Sequence, residues 1–220
     1  MNVSPEQGFD SEHDRLDAIN TGIHLNSIIK LRSWDRDSDN WKKLKQSSIA
    51  ISQWPYTNVP NARLAVSQIR TAIRRTRSLG TPVDVVFIDL FDRLDDVNVA
   101  RDRAGTISVK LGEIERIAKE EEVHICNLVQ INRVVEGKTN KRPTMGNLRD
   151  SGNFEQDSDL VFLLYREGYY NEDMDDNVLE VKIEKQRDGI SGIWFQFLIV
   201  DKQTLEIMPM GEKEKTSDMD

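Results

Sequence analysis

Two apolar runs constrain this chain more than any other feature. They are Val83-Asp-Val-Val-Phe-Ile-Asp-Leu90 and Val123-His-Ile-Cys-Asn-Leu-Val-Gln-Ile131. Both are nearly continuous in apolar residues rather than alternating, which is the pattern of strands covered on both faces of a parallel sheet. A helical pattern lies between them over about residues 107–121, with Leu111, Ile114, Ile117 and Ala118 turned inward. The order of elements predicts an α/β protein, a mostly parallel sheet flanked by helices with an antiparallel edge hairpin.

The remaining segments fill in that frame. A helix is expected from about Asn61 to Leu79, with Ala62, Ala65, Val66, Ile69, Ala72 and Ile73 on one face, Pro60 opening it and Gly80 as its C-cap. The region before it reads as helical: Leu16, Ile19 and Ile23 share a helix face, Ile28, Ile29 and Leu31 extend the apolar stretch, and Trp34, Trp41 and Trp54 read as core anchors. A third strand is expected over 160–165. Two more, near 178–185 and 193–200, are joined by Arg-Asp-Gly-Ile-Ser-Gly, and a short one follows around 205–208. The final GEKEKTSDMD is acidic and reads as disordered.

Composition excludes several classes. Thirty basic side chains face 38 acidic ones, a net charge of −8, so this is no protein coated in basic surface for nonspecific nucleic-acid binding. A basic channel within it remains compatible. Cys126 is the only cysteine, which rules out an internal disulfide or a cysteine zinc site and fits a reducing cytoplasm. No apolar run approaches the ~18–20 residues of a membrane-spanning helix. The polar start, MNVSPEQGFDSEHD, lacks the regions of a signal peptide.

Ligands of parallel sheets bind beyond the carboxyl ends of the strands, so polar residues there carry functional weight. Asp89 ends the first apolar run. It either caps a turn or is a Walker B carboxylate, holding the water shell of a nucleotide-bound Mg²⁺. Gln130 occupies the equivalent place on the second run, where its amide could read a γ-phosphate; the structural alternative is a simple strand-end amide. The matching placement of the two is more telling than either residue alone.

Gly137-Lys138-Thr139 is not a P-loop. The motif needs a glycine where Asn132 stands, and Asn140-Lys-Arg-Pro143 opens no helix. No other GK[ST] occurs in the chain. Residues 133–149 hold Arg133, Lys138, Lys141, Arg142 and Arg149 against Glu136 alone, a local excess of positive charge that is either a solvated charged loop or a basic loop lining a DNA channel. Arg70, Arg74, Arg75 and Arg77 fall on the polar face of a helix and read as solvated. Lys185-Gln-Arg187-Asp-Gly189 is either an ordinary basic turn or an arginine finger for a neighbouring subunit's nucleotide.

Taken together, VVFIDLFDRL (85–94), LVQINR (128–133), KRPTMGNLRDSGNFEQDSDLVFLLYRE (141–167) and EKQRDG (184–189) resemble the C-terminal domain of DnaB-type replicative helicases. The resemblance covers about residues 1–208: a variable helical part over 1–60, a part from Walker B to arginine finger over 61–208, and then an unmatched tail over 209–220. It implies a RecA-like fold, ATP and Mg²⁺ bound between subunits, a homo-hexameric ring around single-stranded DNA, and primase and helicase-loader partners. Asp89 matches the Mg²⁺-associated aspartate, and Gln130 the amide coupling γ-phosphate to the DNA loops. Arg149, Asp150 and Gly152 match the loop on the DNA backbone, with Arg133, Lys141 and Arg142 as further DNA-binding candidates. Lys185 and Arg187 match the trans-acting sensor lysine and finger. Asp92 and Arg93 depart from the family's usual Gln-Leu, and Thr106 stands where the family has a glutamate. The resemblance places the P-loop and catalytic glutamate upstream of Met1, so the expectation is an isolated chain without ATPase activity. The alternative is a noncatalytic DNA-binding or regulatory ring subunit.

Overall fold

The computed structural model describes all residues except 5–8, 32–35, 37, 61–63, 96–102, 133–134, 136, 138, 149–150, 202–203, 205 and 211–220. The chain divides into two compact units, each with its own sheet or cluster.

The first unit takes in residues 1–13, 46–132 and 146–157. Its sheet has the order β2-β1-β3-β4, all parallel. The strands are β1 (Asn2–Ser4), β2 (Asn58–Pro60), β3 (Val85–Ile88) and β4 (His124–Asn127). Two of them, β1 and β2, lie in the stretch read as helical. Each is only three residues long and too polar for a strand pattern to show. Pro60 therefore ends an edge strand, where its missing N–H costs no ladder bond, and does not open the next helix.

That helix, α4, runs Val66–Ser78 and buries Val66, Ile69, Ile73 and Thr76. Gly80 closes it at φ 89°, and its N–H donates to the Arg77 carbonyl at 3.0 Å. A side chain there would be strained, as the C-cap expectation requires. Helix α5 (Arg103–Glu121) contributes Ile107, Leu111, Ile114 and Ile117 to the same core, with Val3, Val86, Ile88, Phe91 and Phe154. Val86 and Ile88 are fully buried, whereas Phe87 is 46% exposed and Cys126 is exposed. The second face is thus open at Phe87 and Cys126, rather than covered along both central strands as the continuous apolar runs suggested.

The second unit comprises residues 14–45, 133–145 and 158–220. Its antiparallel sheet β5 (Leu160–Tyr165), β6 (Val178–Gln186), β7 (Ile193–Asp201) and β8 (Glu206–Pro209) has the sequential order β5-β6-β7-β8. The α/β expectation holds, but the antiparallel part is a four-stranded sheet rather than an edge hairpin. β5, expected as the third strand, pairs antiparallel with β6.

Helices α1 (Phe9–Thr21), α2 (Leu25–Leu31) and α3 (Asp39–Ser52) precede β2. Ala18, Ile28 and Leu44 form a small cluster with Trp41 packed against it. Ile19 and Ile29 are exposed instead, as is Trp54 in the turn after α3. Trp34 lies outside the described residues.

Candidate nucleotide and DNA site

Asp89 is the first residue past β3, held there by the sheet's own ladder. Its N–H donates to the Val3 carbonyl at 2.9 Å, and the Ile88 carbonyl accepts from Leu128 N–H at 2.9 Å. The chain then turns through a cis Asp89–Leu90 peptide, and Phe91 N–H returns to the Leu128 carbonyl at 3.0 Å. Three strand ends, those of β1, β3 and β4, are stitched together at Asp89. The carboxyl end of β1 was not foreseen beside it. The first acidic residue after that end is Glu6, which lies outside the described residues.

Gln130 follows β4 by three residues and is exposed. Just beyond it, Ile131 forms an antiparallel bridge with Leu148, and Asn132 N–H donates to the Asn147 carbonyl at 2.9 Å. Gln130 and Arg149 are each one residue outside this bridge. Arg149, Asp150 and Arg133 lie outside the described residues. Gly152 is exposed in the first turn of α6 (Ser151–Asp157), where Asn153 Nδ2 donates to the Ala104 carbonyl at 2.9 Å.

The basic candidates of the second unit divide sharply. Arg142 is not a loose loop cation: its Nε and Nη2 reach the two Glu180 oxygens at 2.8 Å each, and Nη1 lies 3.2 Å from Glu167. Its guanidinium also sits 4.9 Å from the Tyr165 ring centroid. The Glu180 hydrogen bond, working against partial desolvation, raises the Arg142 pKa further. Burial first, and then the hydrogen bond to Glu167, push the Tyr165 hydroxyl up to about 12. Lys141 lies over Tyr170, 4.9 Å from the ring centroid.

Lys185 and Arg187 are both tied to the turn before β5. Lys185 Nζ donates to the Ser158 carbonyl at 2.6 Å, and Arg187 N–H to the Asp159 carbonyl at 2.9 Å. The Arg187 guanidinium pairs through Nη1 with the Asp159 carboxylate. One residue earlier on β6, Glu184 accepts from Met145 N–H at 3.0 Å and pairs with Lys182. Burial opposes its charge, but these contacts outweigh it and hold its carboxyl below the ordinary range.

The other basic cluster is not simply solvated. Arg74 reaches the Glu121 carboxylate through Nε at 2.8 Å and Nη2 at 2.7 Å, Arg70 pairs with Glu120 at 2.8 Å, and Arg77 lies 3.7 Å from Glu121. Glu121 is only 7% exposed, so the arginines serve a buried carboxylate at the end of α5.

Residues 3–203 match the model of the DnaB-like helicase C terminal domain. The chain belongs to that family. It is 31% identical over 156 residues to the replicative DNA helicase DnaB of Helicobacter pylori, covering 71% of this chain and 32% of that relative. It is 32% identical over 164 residues to the replicative DNA helicase DnaC of Bacillus subtilis, covering 74% of this chain and 36% of the relative. The chain thus spans about a third of the length of the curated relatives it matches.

Among solved structures, an isolated ATPase domain superposes with a TM-score of 0.87 at 29% identity, over 96% of this chain and 74% of that one. A DnaB-like replicative helicase, solved in a study of its interactions with primase, superposes with a TM-score of 0.86 at 29% identity, over 96% of this chain and 50% of that one. The RadB recombinase, at 12% identity and a TM-score of 0.51, shares the fold alone. The DnaB-like chain therefore has a RecA-like fold, and the resemblance read from the four sequence blocks is borne out.

A bound Mg²⁺ on a nucleotide takes one or two carboxylates together with phosphate oxygens and water. The half-buried Asp89 at a joined strand end fits that demand. Among the described residues no group of three or more His, Cys, Asp or Glu side chains could hold a metal by itself. No helix among them is long and apolar enough to cross a membrane.

Proposed function

We propose that this chain is the part of a replicative DNA helicase motor that reads nucleotide state and presents it to single-stranded DNA and to the next subunit. The observation carrying this reading is the stitched strand ends of β1, β3 and β4, with Asp89 on one and Gln130 just past another. Asp89 holds the water shell of Mg²⁺, which offsets phosphate charge when bound. Gln130 reads the γ-phosphate through its amide. The bridge from Ile131 to Leu148 ties Gln130 to the segment carrying Arg149, Asp150 and Gly152, which with Arg133 and Lys141 contacts the DNA backbone. Lys185 and Arg187 act in trans, offsetting charge that develops on a neighbour's phosphoryl group. A homo-hexameric ring, translocation on single-stranded DNA, unwinding of duplex, primase and loader partners and a cytoplasmic site of action belong to the same reading.

The 220-residue polypeptide contains no GxxxxGK[ST] and should hydrolyse no ATP by itself. Mixed with a P-loop-intact, finger-defective subunit of the Geobacillus stearothermophilus DnaB, a relative at 32% identity, it should restore hydrolysis, because the finger is supplied in trans. Arg187→Ala should abolish that rescue, since a lost finger costs on the order of 10³–10⁵ in rate. Turnover of even a few per second by the isolated chain, or equal rescue by Arg187→Ala, would refute the reading.

A further inference from the structure

We infer that Asp159 is a positioning residue for Arg187, the side chain proposed to act on a neighbour's phosphoryl group. The inference rests on the proposed role of Arg187 and goes beyond it, because it assigns what holds the finger.

The contacts converge on two residues. Ser158 accepts the Lys185 ammonium at 2.6 Å, and Asp159 takes both the backbone N–H of Arg187, at 2.9 Å, and its guanidinium. Each proposed trans-acting cation is therefore held by the same dipeptide. The Arg187 backbone is fixed by the ladder, where Leu160 faces Gln186 in register. Its side chain, at the start of an exposed turn, depends on Asp159. That contact uses Nη1 alone, and a guanidinium has five N–H donors in a rigid fork. One edge can stay on the carboxylate while another meets a phosphate.

The Arg187–Asp159 pair is 56% and 75% exposed, so it contributes little to folding. An arrangement that adds little stability yet fixes an exposed arginine by backbone and side chain is better explained by orientation than by packing. Arg142 provides the contrast: its carboxylate partner Glu180 is 12% exposed, and the pair fastens residue 142 to β6.

The test uses the full chain labelled with ¹⁵N at arginine side chains, with the Arg187 Nε–H signal assigned by its loss in Arg187→Lys. In the natural chain this signal should be ordered. In Asp159→Asn it should become mobile, with the Arg142 signal and the melting curve unchanged, and Asp159→Glu should restore much of the order. In the mixed-subunit assay, Asp159→Asn should lower rescued kcat by about tenfold, as a misplaced catalytic group does, with KM for ATP within about twofold. An Arg187 signal indifferent to Asp159→Asn, or full rescue by that variant while Arg187→Ala has none, overturns this inference and leaves the finger reading standing. Rescue by Arg187→Ala overturns the finger reading and this inference with it. If the mixture shows no rescue at all, the Arg187 signal alone decides.

Discussion

Arg142 shows how one residue's environment can reverse the meaning of its charge. By sequence it belongs with Lys141 in a basic stretch suited to phosphate. In the fold its fork is engaged by Glu180 and Glu167 and its plane lies over Tyr165, while Lys141 touches only the Tyr170 ring among the contacts described. Removing Arg142 leaves two carboxylates and a raised-pKa phenol facing one another, with Glu180 only 12% exposed. Arg142→Ala should destabilise the second unit by about 1–3 kcal/mol, the cost of leaving a mostly buried polar group unpaired. Lys141→Ala should lower the melting temperature less than half as much, because a partly exposed cation–π contact is worth roughly 0.5–1 kcal/mol. A thermal melt of the two variants checks the contrast. Equal melting temperatures would return Arg142 to the DNA-binding group.

At the scale of elements, legibility followed pattern length. Helices α4 and α5 and strands β5, β6 and β7 stand close to where periodicity put them, because each is long enough to show a face. Strands β1 and β2 were missed: three polar-flanked residues show no alternation, and only pairing within the β3 sheet makes them strands. The candidate site residues Asp89 and Gln130 stand out in the sequence as polar residues ending apolar runs. Asp159 stands out only as part of the 141–167 block, since its contact with Arg187 depends on a strand that returns to it only after β5 and β6 have been laid down. The arginines of α4 were misread for the same reason, as their partner Glu121 is 47 residues from Arg74. Joining α4 to the end of α5 is their function, so Glu121→Gln should weaken that junction. The expected loss is about 1–3 kcal/mol, or roughly 2–12 °C in melting temperature for a chain of this size. Arg75→Ala, on the same helix, should change the melt by less than about 0.5 kcal/mol. Equal effects of the two would mean that the Glu121 cluster is an ordinary surface network.

For the whole molecule, the proposed function raises the question of how a chain at −8 would hold a polyanion. Mean charge does not decide this, because salt screens exposed charges beyond about 8–10 Å near physiological ionic strength. What matters is which cations are already neutralised. Arg70, Arg74 and Arg77 are paired to Glu120 and Glu121, Arg142 to Glu180, and Arg166 to Asp176 at 2.6 Å. Lys141 is described against an aromatic ring rather than a carboxylate. The chain should therefore bind oligo(dT) weakly and with strong salt dependence, through residues 133–152. Each phosphate contact contributes about 0.7 to the slope of log K against log[salt] for a single strand. Lys141→Ala and Arg149→Ala should each lower that slope by about that amount, and Gly152→Asp should weaken binding by adding a like charge to the same segment. Arg74→Ala with Arg75→Ala should leave the slope unchanged, since Arg74 is already on a buried carboxylate. Fluorescence anisotropy across a salt series measures all four, and the outcome that would sink the assignment is a slope carried by Arg74 and Arg75 instead of Lys141 and Arg149.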